Sequence, residues 1–149
     1  MRAVCQRVSY ARVLVGGQII GEIGPGWAVL LGVGADDDEA AAATLADRIV
    51  GMRAFEDANG KMGLAAADVG AELLVISQIT LHADLSKGRR PSFNLAAPPD
   101  LARRLFDHFI ALLGERGFRV ATGQFGAMMN VELCNTGPVT MVLSTDGWR

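Results

Sequence analysis

Along this chain the apolar positions first gather into short runs broken by glycine turns, and later recur at helical spacing in two longer stretches. Residues 3–9, 12–15, 18–23 and 27–33 read as strands. Gly16-Gly17 marks a two-residue hairpin, and Gly24-Pro25-Gly26 marks the next turn. Asp36-Asp37-Asp38 predicts a helix start, because acidic side chains cap free amides and suit the positive end of the helix dipole. Behind it an alanine run and the spacing of Leu45, Ile49 and Met52 predict a helix to about Met52. Asn59-Gly60 is a further turn, and residues 72–76 form an almost continuous apolar strand. That strand passes into the mixed segment Ser77-Gln78-Ile79-Thr80-Leu81, followed by a loop from His82 to Pro98 without periodicity.

Pro98-Pro99-Asp100 opens a second helix with Leu101, Leu105, Phe109 and Leu112 on one face, closing near Gly114 and Gly117. Residues 119–122, 129–134 and 139–144 complete the chain as strands. Many short strands, tight turns and two main helices predict an α+β fold on mostly antiparallel sheet, as a single domain over residues 1–149. No repeat or linker divides it, and neither a dinucleotide-binding fingerprint nor a Walker loop is present.

Composition narrows this picture. Half of the 149 residues are hydrophobic and a fifth are charged, which is globular usage. The start lacks a signal-peptide pattern, and the apolar run at 27–33 is far short of the roughly 20 residues that cross a bilayer. A cytoplasmic protein without membrane partners is expected. Cys5 and Cys134 have no neighbour at metal-ligand spacing and lie in apolar runs, so both read as small core residues, with no metal and no cofactor. The net charge of −2 argues against a general nucleic-acid coat. Lys87, Arg89 and Arg90 nevertheless cluster in the long loop, either as a solvated turn or as a phosphate-contacting group.

Candidate chemistry is sparse. With two histidines in the chain, His82 and His108, any histidine-based triad must use one of them. His108 sits in the second helix at the surface or core edge, and a Thr80–His82 pair lacks an acidic residue to orient it. Two segments break local expectation. In Ser77-Gln78-Ile79-Thr80-Leu81 a buried strand turns polar at a sheet end; by strand alternation Gln78 and Thr80 face one way, Ser77 and Ile79 the other. It reads either as a site or as an edge strand facing water. In Asn135-Thr136-Gly137-Pro138-Val139-Thr140 a proline interrupts two apolar strands and predicts a turn or strand start. The Gly24-Pro25 pair shows how little that dipeptide says alone.

Together these segments resemble the signatures of the D-aminoacyl-tRNA deacylase family, Ser-Gln-Phe-Thr-Leu and Asn-x-Gly-Pro-x-Thr. The resemblance continues through Gln6-Arg7-Val8, Gly21-Glu22-Ile23-Gly24, Leu30-Leu31-Gly32-Val33, Asp36-Asp37-Asp38, Gly60-Lys61-Met62, Arg90-Pro91-Ser92-Phe93 and Thr122-Gly123, covering essentially the whole chain. One departure is visible: Ile79 stands where the family usually has Phe, which removes an aromatic face but keeps an apolar residue and its amide.

The resemblance implies hydrolysis of the ester joining a D-amino acid, or glycine, to the 3′ end of tRNA, by a barrel-like homodimer with sites at the subunit interface. It also implies a cis Gly137-Pro138 bond in a loop, bounded by Asn135 and Thr140, that enters the partner's pocket and excludes L side chains. An aminoacyl ester is already activated, so orientation and oxyanion stabilisation matter more than a strong nucleophile. Amides near Ile79 and Thr80 would then hold the oxyanion, Gln78 would orient ribose or water, and Ser77 would support the strand; direct attack by Thr80 is the less favoured route. Arg7 would hold the chiral loop, Met129 would line a terminal-adenosine pocket or simply pack, and Lys87, Arg89 and Arg90 would touch acceptor-stem phosphates. Rival readings are a sister deacylase for a small L-amino acid, opposed by Gly137, a Thr80 esterase, and a non-catalytic dimeric nucleic-acid-binding module. No DNA partner is expected.

Overall fold

The protein is described here by a computed structural model that covers residues 1–148; Arg149, the end of the C-terminal tail, lies outside the described residues. Its elements are β1 (Arg2–Val15), β2 (Gln18–Ile23), β3 (Gly26–Gly32), α1 (Glu39–Gly51), β4 (Phe55–Glu56), β5 (Met62–Leu64), β6 (Glu72–Ser77), α2 (Pro99–Glu115), β7 (Val120–Thr122) and β8 (Asn130–Ser144). Single 3-10 turns lie at Ala66–Val69 and Ile79–His82. The main sheet runs β2-β1-β3-β6-β7, with β8 on the other edge of β1. All three pairings of β1 are antiparallel, so the sheet is mostly antiparallel as expected. The β3–β6 and β6–β7 pairs are parallel, which the strand pattern alone did not indicate. Each parallel pair is joined through a helix, the connection such a pair requires. The two ends of the sheet approach each other: a Cβ at Gly21 of β2 would lie 2.5 Å from the Thr122 carbonyl oxygen of β7, so only glycine permits this near-closure into a barrel.

The strands expected at 3–9 and 12–15 are one continuous element. A register shift between Val8 and Tyr10 explains how β1 serves two cores. Ala3 and Cys5 point into the larger core with Trp27, Leu45, Leu73 and Phe109, where the helices cover the sheet. Val8, Ala11 and Val13 point into the second core with Ile23, Ala28, Leu74 and Ile76. Strict alternation would put Val8 and Ala11 on opposite faces; one extra residue reverses the faces beyond it.

Both helices begin where the capping residues predict. The Asp38 carboxylate accepts the Ala41 amide at 2.8 Å, and Pro99 occupies the first turn of α2. Helix α2 buries Leu105, Phe106, Phe109 and Leu113, so the buried stripe is rotated from the one predicted, and Leu101 and Leu112 lie at its edges. Cys5 is buried, and burial pushes its thiol up to about 12. Cys134 corrects the expectation of a core residue: it lies exposed on β8, because β8 pairs with β1 while the outer face of this stretch stays uncovered in a single chain.

Candidate active site

The end of β6 delivers the first candidate segment into a cleft. The Gln78 amide donates to the Leu31 carbonyl at 2.8 Å, closing the ladder, and the chain then tightens into the 3-10 turn Ile79–His82. Strand alternation therefore stops at Gln78, and the expected facing of Thr80 with Gln78 does not follow from a pleat. Instead the Gln78 side-chain amide donates to the Thr80 hydroxyl oxygen. The first donor within the turn is Leu81, to the Gln78 carbonyl at 3.3 Å, so the amides of Ile79 and Thr80 precede its internal hydrogen bonds. Ile79 is 55% exposed, its apolar side chain standing at the mouth of the cleft.

The cleft has a volume of about 500 Å³. Ser77, Gln78 and Ile79 form one wall; Phe106 and Ala102 of α2 form another; the segment from Phe125 to Met129 forms the third. Met129 is thus brought to the same cavity as the turn, as a half-buried wall residue. Phe125 and the 91% exposed Met128 were missed from sequence. The turn Gln124–Ala127 that places them carries one local signal, the glycine at 126 with φ of 77°. Phe125 is fixed by Phe106 at 6.0 Å between ring centres and by the Arg103 guanidinium 5.8 Å above its ring.

His82 is no base for Thr80. The imidazole is buried while Thr80 is exposed, and burial, reinforced by the Arg2 charge, holds it below its ordinary value against the Gly32 hydrogen bond and Asp37. His108 lies half-buried on α2. No cluster of three or more metal-binding side chains occurs among the described residues.

The second candidate segment lies elsewhere. Rather than separating two strands, Asn135–Thr140 is a wide bulge within β8: Asn135 pairs with Val8 and Thr140 with Gln6, so four residues of β8 stand opposite Arg7 alone. Asn135 closes the base, its side-chain Oδ1 accepting the Val139 amide at 2.7 Å and its Nδ2 donating to Thr140 Oγ1 at 3.1 Å. The Gly137-Pro138 bond at the tip is cis, and both residues are exposed. Gly137 has φ of 133°, and a Cβ there would come within 2.8 Å of Val139 and 3.0 Å of Arg7 Nη2. Arg7 is buried behind the bulge, its Nε donating to the Thr136 carbonyl at 3.0 Å and Nη1 to the Ala54 carbonyl at 2.7 Å. Arg7 pairs with Trp27 near the start of β3, whereas the cleft begins at Leu31. Those four residues correspond to roughly 13 Å along the strand. One chain does not bring the bulge and the cleft together.

Lys87, Arg89 and Arg90 sit exposed on a small hairpin closed by the mutual backbone bonds of Asp84 and Ser92, 2.8 and 2.9 Å long. The Ser86 amide and hydroxyl hydrogen-bond the Asp84 carboxylate and, with the nearby Lys87 charge, hold it below its ordinary value. The hairpin follows the turn Ile79–His82 along the chain, and Lys87, Arg89 and Arg90 are not among the residues that line the cleft.

The cleft is largely apolar, and its wall Ser77–Ile79 runs directly into a turn whose first internal hydrogen bond begins at the Leu81 amide. A family profile described as D-Tyr-tRNA(Tyr) deacylase matches residues 4–144. The D-aminoacyl-tRNA deacylase of Dehalococcoides mccartyi strain CBDB1 is 55% identical over 145 residues, covering 97% of this chain and 95% of the relative. That of Symbiobacterium thermophilum is 49% identical, covering 98% and 97%. The solved structure of a c-Myc DNA Unwinding Element Binding Protein superposes with a TM-score of 0.91 at 38% identity, covering 97% of this chain and 99% of the other. A probable eukaryotic D-amino acid tRNA deacylase shares the fold, with a TM-score of 0.83 at 17% identity and coverage of 95% and 97%. The chain belongs to the D-aminoacyl-tRNA deacylase family.

Proposed function

We propose that this protein is a hydrolase that cleaves the ester of D-aminoacyl-tRNA, and of glycyl-tRNA mischarged on tRNA(Ala), releasing the amino acid and tRNA. The observation that carries the reading is the division of labour in a single chain: a cleft walled by Ser77–Ile79 at one end of β3, and an exposed Gly137-Pro138 tip at the other. Each is half of a site, and a second copy of the chain completes both. The functional unit is therefore a cytoplasmic homodimer of this one domain, residues 1–149, in which the tip of one protomer enters the cleft of its partner.

In this arrangement the Ile79 and Thr80 amides receive the developing oxyanion, where pre-aimed donors are worth about 10²–10³ in rate. Gln78 orients the ribose or the water, Ser77 anchors the strand end, and the ribose 2′-hydroxyl assists. Thr80 has no base and serves as a hydrogen-bonding neighbour of Gln78. Carbonyls around Gly137-Pro138 bind the substrate ammonium and leave no space for an L side chain, which is selection by exclusion. Asn135 and Thr140 set the shape of that tip, Arg7 braces it from behind, and Met129 lines the terminal-adenosine side of the cleft. Lys87, Arg89 and Arg90 hold acceptor-stem phosphates without reading sequence. Ile79 supplies a flat apolar contact in place of a ring, and the chemistry calls on no cofactor.

Following ester loss from matched D- and L-aminoacyl-tRNA tests this reading. Rapid loss confined to the D form and to glycine is expected; equal rates, or none, refute it. The likeness to a c-Myc DNA Unwinding Element Binding Protein motivates a second reading, a DNA-binding module. Tight duplex-DNA binding without deacylation would establish that alternative, although the net charge of −2 opposes it.

A further inference from the structure

Arg2 links the tail following β8 to the turn Ile79–His82. Its Nε donates to Asp146 Oδ2 at 3.0 Å, its Nη1 donates to the Leu81 carbonyl at 2.9 Å, and the Trp148 ring lies 4.9 Å from its Cζ. Carboxylate, carbonyl and indole thus engage two edges and one face of a planar cation, a set that suits a guanidinium and not an ammonium. The Arg2 side chain is 8% exposed, so the contact is made away from bulk water. The tail is shaped for it: the Trp148 amide donates to Asp146 Oδ1 at 2.8 Å, turning the ring back over Arg2. Partial burial raises the Asp146 carboxyl, but the Trp148 and Arg2 hydrogen bonds and the Arg2 charge outweigh it and keep Asp146 below its ordinary value.

Leu81 lies inside the turn Ile79–His82. Gly32, paired with Arg2 across β1 and β3, has no side chain; a Cβ there would lie 2.9 Å from both the Gln78 oxygen and Leu81 Cβ. The turn therefore rests on bare backbone on one side and is gripped by Arg2 beside it. We infer that Arg2, locked by Asp146 and Trp148, is a positioning residue for the reaction: it holds the turn so that the Ile79 and Thr80 amides stay aimed into the cleft. This rests on the oxyanion role of those amides. The tail acts through a carbonyl two residues or fewer from each amide, without touching the cleft.

Trp148→Ala and Arg2→Met are tested in the full chain, with Arg2→Lys as the conservative control. Trp148 is 43% exposed, and its loss removes the stacking face without opening a core. For both main variants kcat on D-aminoacyl-tRNA is expected to fall roughly 10- to 100-fold with KM within about twofold, the signature of misaimed groups. Amide exchange at Leu81 and Ala83, whose bonds close the turn, should accelerate while exchange in β6 does not. Arg2→Lys, which can keep a bond to the Leu81 carbonyl or to Asp146 but not the whole set, should recover only a small part of kcat relative to Arg2→Met. Normal exchange together with normal kcat overturns the inference and leaves the oxyanion reading standing. Faster exchange with unchanged kcat overturns the oxyanion reading and the inference with it. A rise in KM alone assigns the tail to tRNA binding and refutes the positioning role.

Discussion

Replacing Arg7 with alanine removes a buried cation whose bonds are both to backbone carbonyls, Thr136 in the β8 bulge and Ala54 ahead of β4. A hydrogen bond from a charged donor contributes about 1.5–3 kcal/mol, so the pair sets an upper range near 3–6 kcal/mol. The contact to Glu56 at 3.8 Å adds little, because the Glu56 side chain is 63% exposed and an exposed ion pair is worth about 0–1 kcal/mol. Thr136 is exposed, so water can re-solvate its carbonyl, whereas the Ala54 bond is buried and its carbonyl would be left unpaired. The expected loss is therefore about 3 kcal/mol, the low end of the range. Arg7→Lys should retain roughly half, since one ammonium cannot serve two carbonyls so placed. Urea unfolding at two protein concentrations separates this local loss from any effect on association. Deacylation of D- and L-aminoacyl-tRNA reads the tip: with its brace gone, discrimination should fall together with the rate on the D form. A stability change under about 1 kcal/mol with the D/L ratio intact would show that Arg7 is a bystander at the bulge.

Thr80→Val should keep turnover within about threefold, since Val preserves the backbone amide; a loss beyond 10³-fold would make the hydroxyl a nucleophile. Changing Lys87, Arg89 and Arg90 together to alanine should flatten the salt dependence of tRNA affinity by about 2 in log–log slope, measured by filter binding from 50 to 200 mM salt. Cys5, with its thiol pushed up to about 12 from 9.0, should resist a thiol reagent at pH 8 until the protein unfolds. Because its folded value is raised, stability is present below about pH 9 and is lost as pH climbs toward 12; a Cys5→Ser variant lacks that alkaline step. His82 runs the other way: its lowered folded value means stability is present above 6.5 and declines as pH falls below it, a slope that His82→Gln should remove.

How much of this was legible depended on how local the cause was. Asp38 and Pro99 announce their helices because a cap acts within one turn, and Gly16-Gly17 announces its hairpin for the same reason. The parallel placement of β6 beside β3 was not legible, since it is set by a crossover of some forty residues rather than by any short pattern. The reversal of faces in β1 depends on one extra residue near Ser9 that only the partner strand reveals. At the site, the family resemblance singled out Gln78 and Gly137, but alternation failed beyond Gln78 because a 3-10 turn has no period of two. The contribution of Phe125 to the cleft depends on Phe106 and Arg103 from a distant helix, which no reading of residues 122–126 could supply.

Strand β1 carries Arg2 at one point and Arg7 five residues later, on opposite faces of the same extended backbone. The span between them is a fixed gauge. A chain can lengthen or shorten the hairpin closed by Asp84 and Ser92 and alter only how far its basic tip reaches. A single residue gained or lost between Arg2 and Arg7 would instead turn one arginine to the wrong side, releasing either the turn or the bulge. Substitution is open to this segment; change of length is not.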